Sequence, residues 1–125
     1  PDYKKVVPIN NDKKLIVSTK DFISSIERVT SVSLDRKEGV KLTIKKDNIL
    51  FSVNSANSGE GNEIIKAEFS SDNLSVSFNS KYLTDIASEV GDSKIKLNLK
   101  DPTSPVLIED AADKNSYYVI MPMKI

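Results

Sequence analysis

The chain has 125 residues, 38% of them hydrophobic and 29% charged, with 18 basic and 18 acidic side chains and so no net charge. That length suits one domain whose core needs no staples, and neutrality argues against a free-standing module that grips nucleic acid tightly. With no Cys there is no disulfide framework or thiol chemistry, and with no His serine- and cysteine-type triads and most zinc sites are excluded.

No apolar run reaches membrane-spanning length and no secretion signal is visible. The chain begins with Pro1 rather than Met, as a piece of a longer protein would. Residues 1–11 read as an extended lead-in: Pro8 holds Val7 in extended geometry, and Asn10-Asn11-Asp12 is a turn cluster. The domain proper is expected over 12–125. Lys13 to Val17 reads as a short strand. Ser18 or Thr19 then caps a helix over 19–32, with Phe22, Ile23, Ile26 and Val29 at helical spacing and Asp21, Ser24, Arg28 and Ser31 on the opposite face.

After this helix the period falls to two. Val40, Leu42 and Ile44 alternate with polar residues, the turn Lys46-Asp47-Asn48 follows, and Ile49, Phe51 and Val53 alternate again, which predicts a hairpin. A polar loop is expected from Asn54 to Asn62, then a strand near Ile64–Phe69, the turn Ser71-Asp72-Asn73 and a strand Leu74–Phe78. Asn79 or Ser80 caps a second helix over 80–90, with Tyr82, Leu83, Ile86 and Val90 on one face and Gly91 as its stop. Ile95, Leu97 and Leu99 alternate, a loop carries Pro102 and Pro105, and Val106–Ile108 leads to an acidic turn, Glu109–Asp113. The final strand is expected at Ser116–Met121.

The plan repeats. Ile23, Ile26 and Thr30 overlay Leu83, Ile86 and Val90 at an offset of 60, and each helix sits between one strand and three. The pattern predicts an α+β fold of two strand-helix-strand-strand-strand units, with antiparallel sheets and two helices on one face.

The chemistry on offer is narrow. Glu109, Asp110 and Asp113 are the one dense carboxylate cluster, and a metal-dependent hydrolase would have to use them. Adjacent strand residues point to opposite faces, so Glu109 and Asp110 are not expected to converge. No glycine-rich phosphate cradle occurs. An enzyme is not the expectation, and no metal or cofactor is implied. Lys20, Arg28 and Lys81, with Ser24, Ser31, Thr84 and Ser88, give helix faces able to approach phosphate without gripping it. The strongest local signal is for docking a peptide. The end Met121-Pro122-Met123 is apolar and adaptable where chain ends are usually polar, and Tyr82 and the loop Pro102-Thr103-Ser104-Pro105 accompany it. A β-rich interaction domain of some other role also fits these features.

Several segments, in order along the whole chain, resemble one family. They are Pro1-Asp2-Tyr3-Lys4-Lys5-Val6-Val7-Pro8, Arg36-Lys37-Glu38-Gly39-Val40-Lys41-Leu42, Phe78-Asn79-Ser80-Lys81-Tyr82-Leu83, Val106-Leu107-Ile108-Glu109-Asp110-Ala111-Ala112 and Tyr118-Val119-Ile120-Met121-Pro122-Met123-Lys124-Ile125. Together they are similar to the third, C-terminal domain of bacterial sliding clamps, the beta subunit of DNA polymerase III.

That resemblance implies a ring of two chains, each of three such domains, closed head to tail around duplex DNA in the bacterial cytoplasm, at the nucleoid. Helices would line the hole and sheets the outer wall. Such a processivity factor is non-catalytic. It tethers the replicative polymerase and docks the clamp loader and repair proteins by a short linear motif with a Gln and a hydrophobic pair. Carried to matching positions, the docking cleft would include Pro1, Lys5, Val6, Asn79, Tyr82, Thr103, Pro105, Val119, Ile120, Met121, Pro122, Met123, Lys124 and Ile125. The DNA-facing set would be Lys20, Ser24, Arg28 and Lys81, and Ser31 and Val32 would meet the other chain of the ring. The chain departs from the family at Lys37, where an aromatic can stand, at Lys124 in place of a common Arg, and at Pro105 in place of a small polar residue. Lys lacks the planar fork of Arg, which bears on partner preference.

Overall fold

The computed structural model describes residues 11–31, 39–55, 59–71, 73–90, 93–112 and 117–123. Strand β1 (Lys13–Ser18) turns Leu15 and Val17 to the core and its alternate residues outward. Helix α1 (Thr19–Thr30) follows at once. Ser18 is its cap: the hydroxyl accepts the Asp21 backbone N–H at 3.3 Å, and the Asp21 carboxylate complements the positive end of the helix dipole. Phe22, Ser25, Ile26 and Val29 recur at i, i+3, i+4 and i+7 and are buried, with Ile23 half-buried against them. The helix stops at Thr30, two residues short of the sequence expectation. Ser31 closes the end, its N–H donating to Glu27 O and its hydroxyl to Arg28 O at 2.7 Å.

Strands β2 (Gly39–Ile44) and β3 (Asn48–Ser55) form the expected hairpin, with Leu42 opposite Phe51 and Ile44 opposite Ile49. The Lys45 N–H donates to Asn48 O at 2.8 Å across the turn. The expected long loop after β3 is shorter than the sequence suggests. Strand β4 (Gly59–Lys66) begins inside it and pairs with β3 along its full length. Glycines and polar residues there have no apolar alternation to announce a strand, and the backbone ladder alone defines it. The expected strand over 64–69 divides into β4 and a two-residue β5 (Glu68–Phe69). The remaining elements are β6 (Leu74–Asn79), α2 (Ser80–Val90), β7 (Lys94–Leu99), β8 (Val106–Asp110) and β9 (Tyr117–Ile120). Asp72 and Gly91, given turn and stop roles above, lie outside the described residues.

Two antiparallel sheets result, one ordered β5-β1-β7-β8-β9 and the other β4-β3-β2-β6. The first strand of each unit reaches into the other: β1 pairs along its length with β7, besides the short β5 of its own unit, and β6 pairs with β2. The helices touch each other, α1 packing mainly on β4 and β3 and α2 on β8, β6 and β9. One apolar core fills the space between helices and sheets, with Phe22 meeting Phe51 edge to face at 5.5 Å.

The duplication is confirmed with a changed register. Ser18 and Asn79 are both helix caps, Thr19 and Ser80, Phe22 and Leu83, and Ile26 and Ala87 are all buried pairs, and β1 and β6 match end for end, each 61 positions apart. The offset of 60 read from apolar spacing is one residue short. Two similar amphipathic stripes can be slid by a residue without losing their period, whereas caps cannot.

Candidate docking site and helix face

The chain end takes a path that follows from Pro122. Among the described residues strand β9 is an edge strand, paired only with β8, and Ile120 opposite Val106 is its last ladder residue. Pro122 has no N–H to offer and cannot extend the ladder. One residue on, the Met123 N–H donates to Ser77 O at 2.7 Å. Ser77 lies on β6, the edge of the other sheet. Three residues therefore bridge the edges of the two sheets. Met121 is 59% exposed, Pro122 and Met123 are half-buried, and Ile120 is buried. The strand ends at Ile120 rather than Met121, and Met121 is released to the surface.

Asn79 ends β6 and begins α2 in one residue. Its Oδ1 accepts the Tyr82 N–H at 3.0 Å, so Asn79 is the cap and Ser80 the first helical residue. This fixes the first turn while leaving Tyr82 66% exposed. The Met123 anchor lies two residues before Asn79 on the same strand, so Asn79, Tyr82 and the chain end converge on one edge of the domain.

The loop between β7 and β8 supplies the opposite side. Asp101 organises it: Oδ1 accepts the Thr103 N–H (2.9 Å), the Thr103 hydroxyl (3.0 Å) and the Ser104 N–H (2.8 Å), while Oδ2 accepts the Ser104 hydroxyl (2.9 Å). These donors, the Thr103 backbone N–H foremost, lower the Asp101 carboxyl to about 2 from its ordinary 3.8. Asn11 holds the far end of the loop, its Nδ2 donating to Asn98 O and Pro105 O, each at 2.9 Å. Between loop, chain end and β6 runs a groove of about 460 Å³ lined by Lys41, Ser75, Val76, Ser77, Pro102, Thr103 and Met123.

Of the residues expected in the cleft, Thr103 and Met123 line this groove. Asn79, Tyr82 and Met121 stand on the same edge, and Pro105, Val119, Ile120 and Pro122 form the strands and turns that carry it. Pro1, Lys5, Val6, Lys124 and Ile125 lie outside the described residues. Asn11, Lys41, Ser75 and Ser77 were not anticipated. Lys41 reaches the groove only because β2 and β6 pair with Lys41 opposite Ser77. That register joins distant segments, and periodicity does not specify it.

The helix faces are less basic than their lysines suggest. Lys20, Arg28 and Lys81 are exposed and Ser24 is half-exposed, but the acidic Asp21, Glu27, Asp85 and Glu89 are exposed as well. The Arg28 guanidinium also donates to Glu63 Oε1 on β4 at 2.6 Å and to the Ser25 hydroxyl at 3.3 Å. Lys20 and Lys81 occupy equivalent first-turn positions of the two helices. Ser31 is exposed at the end of α1, and Val32 lies outside the described residues.

Within the carboxylate cluster, Glu109 and Asp110 do not converge. Glu109 and Asp110 belong to β8 rather than to a turn. Glu109 is buried, 3.4 Å from Lys96 Nζ, and accepts Asn98 Nδ2 at 3.3 Å, whereas Asp110 Oδ1 accepts the Ala112 N–H at 2.8 Å. Asp113 lies outside the described residues. Among the described residues no three acidic groups are placed to hold a metal ion. No helix among them is long and apolar enough to cross a membrane.

Residues 4–124 match the family described as DNA polymerase III beta subunit, C-terminal domain. The sliding clamp of Bartonella birtlesii LL-WM9 is 39% identical, with a TM-score of 0.94, over all of this chain and 36% of that one. A second Bartonella birtlesii structure, bound to griselimycin, is 39% identical with a TM-score of 0.93, over all of this chain and 34% of that one. The beta sliding clamp of Caulobacter vibrioides is 28% identical over 125 residues, all of this chain and 34% of its own length. The α+β fold is that of a DNA clamp, and the chain belongs to the family formed by the C-terminal domain of the DNA polymerase III beta subunit. It spans about a third of the length of the curated relatives it matches.

Proposed function

We propose that this domain, residues 12–125 with 1–11 as its lead-in, is the C-terminal third of a replication clamp. The ring encircles duplex DNA, holds the replicative polymerase to it, and docks clamp loader and repair proteins through a short linear motif. Catalysis, cofactor and metal play no part in this reading, and its setting is the bacterial cytoplasm. The observation that carries the docking half is the Met121–Met123 bridge from β9 to β6, which places adaptable apolar side chains beside Asn79, Tyr82 and the Thr103 loop. The rest of the cleft would come from Pro1, Lys5, Val6, Lys124 and Ile125 and from a preceding domain.

The DNA half rests on family membership and on the helix faces. Lys20, Ser24, Arg28 and Lys81 offer a few cations among hydroxyls and carboxylates, an arrangement suited to sliding contact with easy release. Ser31 and Val32 would meet the other chain of the closed ring.

The test uses the full-length clamp chain and a labelled Gln-Leu-x-Leu-Phe peptide in fluorescence polarisation. Deleting residues 121–125 should weaken binding at least tenfold, about 1.4 kcal/mol. Unchanged affinity removes the cleft assignment. Retention on circular DNA with release on linearisation tests the ring.

A further inference from the structure

The groove beside the chain end has a charge of its own. On β2 the core takes Val40, Leu42 and Ile44, so Lys41 is exposed on the outer face of the four-stranded sheet. Its ladder neighbours there are Ser52 on one side and Ser77 on the other. Among the described residues the remaining polar side chains of the lining are the hydroxyls of Ser75, Ser77 and Thr103, with no carboxylate between them. Asp101, the acid of the adjoining loop, spends both its oxygens on Thr103 and Ser104. Among the described residues Lys41 takes part in no ion pair.

The groove is also continuous with the proposed docking edge. Met123 and Thr103 line both, and Met123 lies on β6 through its bond to Ser77. The Ser77 carbonyl points away from β2, so by the alternation of an antiparallel ladder the Ser75 N–H and C=O point the same way, toward the groove. An extended chain leaving the cleft past Met123 would find hydroxyls, backbone groups and the Lys41 ammonium.

We propose that Lys41 and the Ser75–Thr103 groove form an extension of the docking cleft that takes an acidic segment flanking the linear motif of a partner, with a partner carboxylate paired to the Lys41 ammonium. This rests on the docking reading above and adds a specificity element to it. A carboxylate here gains a charge-assisted contact, whereas a basic flank meets a like charge.

The experiment is fluorescence polarisation on the full-length clamp with three forms of a Gln-Leu-x-Leu-Phe peptide. One carries two aspartates immediately outside the motif, placed in turn on each side, one carries serines there, and one carries lysines. The acidic form should bind three- to tenfold more tightly than the serine form from one side only, with the advantage fading between low and high salt. Lys41→Ala should bring the acidic and serine peptides to equal affinity, Lys41→Arg should retain the advantage, and Lys41→Glu should transfer it to the lysine peptide. Equal affinity of acidic and serine peptides, or an advantage that survives Lys41→Ala, overturns the inference while the cleft stands. Failure of all three peptides to bind the unaltered clamp removes the cleft and this extension together.

Discussion

The two units of this domain share a scaffold and differ where they meet the outside. Both begin with a six-residue strand, a polar cap and a helix. At the third helical position the first unit has Asp21, which serves the helix dipole, and the second has Tyr82, an exposed ring. After the helix, the first unit joins β2 to β3 by a tight turn, and the second joins β7 to β8 by the Asp101–Pro105 loop that lines the groove. The first unit ends in the long β4 and the short β5, the second in the short β9 followed by Pro122 and the bridge to β6. Features the units share hold the fold, and features only the second unit has gather at one edge. A duplicated framework can keep one copy for stability while the other diverges toward binding.

The largest test of that comparison is in the shared core. Phe22→Ala and Leu83→Ala, at equivalent positions, should cost about 3–5 and about 2–5 kcal/mol respectively. Urea unfolding should remain a single transition by fluorescence and circular dichroism in both. Two separated transitions would break the picture of one core. Next, Tyr82→Ala should lower affinity for the linear-motif peptide about tenfold or more with a stability change within about 0.5 kcal/mol. Asp21→Ala, at the matching site, should leave affinity unchanged; equal losses from both would erase the distinction.

The caps sharpen it further. Ser18→Ala and Asn79→Ala should each cost about 1 kcal/mol in thermal or urea unfolding. Only Asn79→Ala should also weaken the peptide, because it positions Tyr82. The acid limb tests the loop. Asp101 is held near 2 against an ordinary 3.8, a lowered value, so its contribution is present above about pH 4 and is lost as pH falls through 2. Asp101→Asn should flatten the stability–pH curve in that window, and an unchanged slope would remove Asp101 as the loop's organiser. The smallest effect belongs to Arg28. Its pair with Glu63 is exposed and worth at most about 1 kcal/mol, and Arg28→Ala should reduce retention on circular DNA only modestly. Complete loss at low salt would contradict a topological tether.

Much of this was legible in the sequence, and the failures have physical causes. The helices, the hairpin and the β7–β9 strands follow from apolar period, because burial against one core forces that period. Strand β4 was half hidden because Gly59 to Asn62 carry no apolar alternation. Glu109 read as a turn residue because its burial depends on Asn98 and Lys96 across the sheet. The chain end was visible as an apolar terminus, but Lys41 was not, since its place depends on the β2–β6 register. Asn11 read as a turn former, and its hold on Pro105 needed the fold.

The exchange of first strands has a consequence for how the chain folds. Neither unit can complete its sheet without the other, so nearly all pairing of β1 and β6 waits for closure between distant segments. The two copies should appear together in a refolding trace, slowly and in one step, with no half-domain intermediate. A chain cut between β5 and β6 should give two pieces that are each unstructured and that regain structure only on mixing.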